Sequence, residues 1–124
     1  MTHAARFVFV NAYIDPHGQS LAAYQFELTA HGSDVTLVGV EGGEHPAFAD
    51  PAYYDPKANA QNRIVIAAFN TGDNLPRTRN RVATIMLRVT GTQMPVYTAK
   101  LDVAASSDAK PIDATIQVSE GAAQ

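Results

Sequence analysis

Four acidic residues, Glu41, Glu44, Asp50 and Asp55, fall within fifteen consecutive positions. Loop carboxylates at this density suit calcium, which takes roughly six to eight oxygen ligands from carboxylates and carbonyls. These four are the metal candidates, and calcium is the only cofactor the sequence raises. Their spacing matches no EF-hand loop. Asp50-Pro51 and Asp55-Pro56 also fit Asx-type turns, in which the carboxylate accepts from nearby amides, and this is the preferred reading. His3, His17, His31 and His45 recur fourteen residues apart, whereas paired zinc ligands lie roughly three to five apart. They read as exposed loop histidines, with His45 beside Glu44 as the one placed to ligate. There is no cysteine. Ser20, Ser33, Ser106, Ser107 and Ser119 sit in or beside turns, and no G-x-S-x-G, H-E-x-x-H or phosphate-cradling glycine pattern occurs. No acid–base pair or nucleophile can be assembled, so the expectation is a protein that is not an enzyme.

The residues better suited to recognition lie in two segments. EHPAFADPAYYDPKANAQN (44–62) has three prolines, adjacent tyrosines and no sustained period. A connection longer than about a dozen residues without secondary structure of its own is commonly functional. Tyr53 and Tyr54 point in opposite directions if the backbone is extended, so one can anchor the segment while the other faces solvent; Phe48 is a further anchor. An exposed tyrosine on a stiff loop suits contact with a protein or a sugar ring. NTGDNLPRTRNR (70–81) carries Arg77, Arg79 and Arg81 in alternation, which an extended backbone places on one side. Guanidinium forks suit carboxylates. Their simplest partners are the acids of 41–55, an open patch for an acidic partner and plain solvated surface being the alternatives.

These segments must be held by strands. RFVFVNAYI (6–14) places Val8, Val10, Ala12 and Ile14 on one face and Phe7, Phe9, Asn11 and Tyr13 on the other, both largely apolar. LAAYQFELTA (21–30) alternates cleanly, with Ala22, Tyr24, Phe26 and Leu28 inward and Gln25, Glu27 and Thr29 outward. VTLVGVE (35–41) reads as a covered strand, and RIVIAAF (63–69) is apolar on both faces. RVATIMLRV (81–89) offers Ala83, Ile85, Leu87 and Val89 to a core. YTAKLDVAA (97–105) offers Tyr97, Ala99, Leu101, Val103 and Ala105 and places Thr98, Lys100 and Asp102 opposite. PIDATIQV (111–118) offers Ile112, Ala114, Ile116 and Val118. No 3.6-residue stripe is sustained. Seven strand candidates separated by turn signals such as DPHG (15–18) and HGSD (31–34) predict two packed antiparallel sheets or a barrel. The 124 residues read as one domain, 1–124, with a long loop at 44–61.

The wording of the strands decides between these. SLAAYQFELTAHGSDVTLVGVEGGE (20–44), NRIVIAAFNTG (62–72) and RVATIMLRVTG (81–91) resemble successive strands of the cohesin family, in the family's order over roughly residues 6–118. The resemblance implies an all-β fold, an antiparallel two-sheet β-sandwich with jelly-roll-like topology. It also implies a non-catalytic module that binds a dockerin-like protein in an extracellular or cell-surface assembly. The family's binding face, carried over strand by strand, falls on Gln25, Glu27 and Lys100, with Arg63 or Val65 according to register. Tyr53, Tyr54, Arg77 and Arg79 join them as candidate contact residues. Related sandwiches bind polysaccharide, which makes a carbohydrate-binding module the second reading, although the chain has no tryptophan. A structural spacer domain is the third.

Composition narrows the partners. A formal charge of −3 argues against nucleic acid, and no apolar run approaches a membrane span. MTHAARFVFVNAY lacks the basic and apolar regions of a secretion signal; it fits a cytoplasmic protein or a domain of a longer chain. An open sheet edge would provide a point for self-association, and the oligomeric state stays open.

Overall fold

The computed structural model describes residues 5–54 and 62–121. In chain order these form β1 (Ala5–Asp15), β2 (Ala23–His31), β3 (Asp34–Gly42), a 3-10 turn at Pro46–Phe48, β4 (Tyr53–Tyr54), β5 (Arg63–Phe69), β6 (Asn80–Thr90), β7 (Val96–Ala105) and β8 (Thr115–Gly121). The strands make two four-stranded sheets, β3-β6-β1-β8 and β4-β5-β2-β7, with every pairing antiparallel. Apart from the step from β4 to β5, each connection carries the chain from one sheet to the other. The result is a two-sheet sandwich of jelly-roll-like topology.

Side-chain alternation explains why the sheets close on each other. Val10, Ala12 and Ile14 of β1, Tyr24, Phe26 and Leu28 of β2, Ile64 and Ile66 of β5, and Ile85, Leu87 and Val89 of β6 are buried in one hydrophobic cluster. Each comes from every second position of its strand, as a sheet with one face covered requires. β1 had two apolar faces to offer, and the Val8–Ile14 face is the one buried; Phe7 on the opposite face is exposed. β6 and β1 are the two central strands of their sheet, and their inner faces are buried.

Two strands depart from simple alternation. β3 was expected to be covered but lies at the edge of its sheet. Its register against β6 shifts between Leu37 and Gly39, and Val38 at that irregularity is exposed. An edge strand has one neighbour instead of two, and a bulge there bends it away from further pairing. β7 shifts register against β2 between Gln25 and Phe26, leaving Asp102 as the extra residue. Val103, expected toward the core, is therefore turned outward and exposed, while Ala104 takes its place against the core. A bulge reverses the facing of everything beyond it, and alternation within the strand does not foretell it.

The segment after β3 folds back over one end of the sandwich. A Cβ at Gly42 would fall on the Ala49 carbonyl, and one at Gly43 on the Arg81 carbonyl, so only glycine permits this approach. The Gly43 amide donates to the Phe48 carbonyl at 2.7 Å, and the Glu44 amide to the Arg81 carbonyl at 2.9 Å. His45 caps the 3-10 turn, its Nδ1 accepting from the Ala47 amide at 3.0 Å. Phe48 is buried and packs against Tyr24, confirming it as an anchor. The Asn70 side-chain amide secures the far side by donating to the Ala47 carbonyl at 2.9 Å.

Candidate functional site

The outward positions of β2 organise the site. Gln25, Glu27 and Thr29 lie on its outer face because Tyr24, Phe26 and Leu28 are drawn into the core. Antiparallel register sets their neighbours. Gln25 is flanked by Ala67 of β5 and Val103 of β7, Glu27 by Val65 and Lys100, and Thr29 by Arg63 and Thr98. Tyr53 extends the Gln25 row as the partner of Ala67. The fold therefore gathers Gln25, Glu27, Arg63, Lys100 and Tyr53 on one sheet face. Both residues left open by register, Arg63 and Val65, belong to it.

The tyrosine pair divides as its extended backbone requires. Tyr53 is 70% exposed on the outer face, while Tyr54 pairs with Ile66 and packs against the core. Around Tyr53 lies a depression of about 490 Å³ whose lining includes Phe48, Pro51, Phe69, Gln25 and Val103. Phe69, the last residue of β5, is 77% exposed. Two exposed aromatic rings and Val103 thus form an apolar end to this face.

Charge occupies the middle of the face. The Arg63 guanidinium donates to the Glu27 carboxylate at 2.6 Å, and Lys100 stands 3.8 Å from Asp102. The bulge brings Asp102 beside Glu27. Arg63 holds the Glu27 carboxyl below its ordinary range, with Asp102 contributing in the same direction. Asp102 is pushed the other way, chiefly by desolvation and then by the neighbouring Glu27 charge. Two carboxyls this close resist double ionisation, so a proton taken up by the pair settles on Asp102.

The arginines of 77–81 are tied to separate partners. Arg77 reaches the Gly18 carbonyl at 3.4 Å. Arg79 lies over the Tyr13 ring, 4.2 Å from its centroid, and donates to Gln117 at 3.3 Å. Arg81 donates to the Gly42 carbonyl at 3.0 Å and to Thr84 at 2.8 Å, and the Thr84 hydroxyl donates in turn to Asn11 at 2.8 Å. Among the described residues, none of the three is paired with an acid of the 41–54 stretch. Glu44 does meet residue 81, but through the backbone amide, which donates to its carboxylate at 2.5 Å. Arg79 and Arg81 both precede the irregularity of β1–β6 pairing, which falls at Val82, and it is their different partners that set them apart.

The acidic residues are dispersed. Glu41 lies on β3 in the far sheet, Glu44 is held at Arg81, and Asp50 lines the depression beside Tyr53. Asp55 lies outside the described residues. Among the described residues no three acidic or histidine side chains converge as a metal site, and no helix is long and apolar enough to cross a membrane.

Sequence reasoning missed two members of this face, Phe69 and Val103. Phe69 shares the parity of Arg63, so the charge of Arg63 could have assigned it outward. Val103 depends on the bulge and had no such signal, whereas alternation already put Asp102 on the side of Lys100. Set against protein-family models, curated proteins and solved structures, the chain matches none. The sandwich rests on its strand pairing and the likeness to cohesins on its residues alone.

Proposed function

We propose that this chain is a non-catalytic protein-binding module whose recognition surface is the outer face of the β4-β5-β2-β7 sheet. The observation that carries the reading is the meeting on one face of an exposed apolar end, Tyr53, Phe69 and Val103, with a row of charged side chains at Arg63, Glu27 and Lys100. Protein contacts commonly join a large amphipathic anchor to a polar surround. The segment carrying Tyr53 is anchored into the core by Tyr54 and Phe48, so little order has to be gained on binding. The resemblance to cohesins supplies the finer form of the proposal, a dockerin-like partner in an extracellular or surface assembly.

The exposed rings of Tyr53 and Phe69 also favour polysaccharide as a second reading, since a sugar ring stacks on such a surface. Calorimetric titration distinguishes the two. The chain is titrated with a dockerin-type module carrying paired calcium loops, and separately with cello-oligosaccharides. Saturable binding of the module, abolished by Tyr53→Ser and unaffected by Phe7→Ser on the opposite sheet, is the expected result. Heat from the oligosaccharide alone would transfer the face to the second reading. Silence toward both would leave the spacer role.

A further inference from the structure

The charged row is balanced in formal charge but not in what it shows to a partner. Arg63 and Lys100 side chains are 46% and 77% exposed, whereas Glu27 and Asp102 are 20% and 18% exposed. The carboxylates are tucked against the sheet, and the cations stand over them. Asp102 is drawn into this arrangement by the bulge, which sets it beside Glu27 on β2 and within 3.8 Å of Lys100. The charge nearest solvent is therefore positive, although the chain as a whole carries −3. An approaching ligand responds to accessible charge, because tucked charges are compensated by their neighbours.

We infer that the segment docking on this face is an acidic polypeptide with one large apolar side chain. The inference rests on the binding-face reading above and specifies the chemistry of its partner. The apolar side chain fills the depression among Tyr53, Phe69 and Val103, and a carboxylate of the partner meets Lys100 and the outer edge of the Arg63 guanidinium. The Gln25 and Glu27 rows lie two residues apart on one strand, about 7 Å. The partner's anchor and its acid must match that separation. Four residues of helix rise about 6 Å and two residues of strand about 7 Å, so the spacing is i to i+4 in a helix or i to i+2 in an extended segment. Capture of the acid also leaves the Glu27–Arg63 bond in place, because a guanidinium has donors to spare.

A library of random twelve-residue peptides displayed on phage, selected against the full chain, tests this directly. Enriched peptides are synthesised with a fluorophore and titrated by anisotropy against the wild-type chain, Lys100→Glu and Tyr53→Ser, with thermal melts showing that each variant is folded. The expected result is enrichment of Asp or Glu at the stated spacing from an aromatic or leucine. Affinity should fall about tenfold or more in Lys100→Glu and in Tyr53→Ser, and should weaken as salt is raised. Peptides that lose affinity in Tyr53→Ser but carry neutral or basic residues would overturn the acidic partner and leave the binding face standing. No enrichment, or binding indifferent to both substitutions, would overturn the face and this inference together.

Discussion

The ring of Phe48 stands edge-on to that of Tyr24, with centroids 5.3 Å apart and 66° between their planes. Tyr24 also stacks on Phe26 at 5.8 Å and directs its hydroxyl to the Val82 carbonyl. Phe48 therefore joins the segment that carries the exposed tyrosine to the aromatic centre of the sandwich. Phe48→Ala is expected to cost about 3–5 kcal/mol, the range for a buried aromatic whose cavity does not collapse. Denaturant unfolding of the purified variant measures it. A loss under about 1 kcal/mol would mean that the segment is not held by this ring.

Glycine at 42 is demanded by contact, and glycine at 39 is not. A Cβ at Gly42 meets the Ala49 carbonyl, while one at Gly39 meets nothing within 4 Å. Gly42→Ala should destabilise by about 1–3 kcal/mol through overpacking. Gly39→Ala should be neutral, or stabilising by up to about 1 kcal/mol, since alanine has less chain entropy to lose. The two melts side by side separate the close approach from the general effect of adding a methyl group.

Tyr53 and Tyr54 should behave as opposites. Tyr54→Ala removes packing from the edge of the core and is expected to cost about 1–2 kcal/mol, less than a fully buried side chain. Tyr53→Ser should change stability by no more than about 0.5 kcal/mol while abolishing partner binding. Chemical denaturation and titration on the same preparations give both quantities. Equal destabilisation by the two would contradict their placement on opposite faces of β4.

The carboxyl pair predicts a pH dependence with a definite sign. Asp102 binds its proton more tightly in the folded chain than in the unfolded one, so its contribution to stability falls as pH rises through the carboxylate range. Glu27 is lowered; its contribution is present above its unfolded value and is lost as pH falls through its folded one. Asp102→Asn removes the first effect and the repulsion while keeping an acceptor toward Gln25. The variant should melt higher than wild type near pH 7, and the gain should narrow as the pH is taken down through about 4. A gain unchanged across that range would mean that Asp102 and Glu27 do not interact.

Much of this architecture is legible in the residues. β2 alternates so cleanly that both its buried face and the outward row of Gln25, Glu27 and Thr29 follow from the sequence. The opposed facing of Tyr53 and Tyr54 follows from two adjacent residues in an extended backbone, and the role of Phe48 from an apolar ring in a polar, proline-stiffened loop. The carry-over of Gln25, Glu27, Arg63 and Lys100 to one face required only that β5 and β7 flank β2. Other features depend on pairing between strands far apart in the chain. Which apolar face of β1 is buried, that β3 is an edge strand, and that Arg77, Arg79 and Arg81 part company are settled by neighbours dozens of residues away. The bulge at Asp102 is the clearest case. Alternation is a property of one strand, whereas a bulge is a mismatch between two. Sequence by itself determined the strands, their polarity and the outward side of Lys100 and Asp102; tertiary structure decided that Val103 turns outward and that Asp102 meets Glu27, and with them the chemistry of the face.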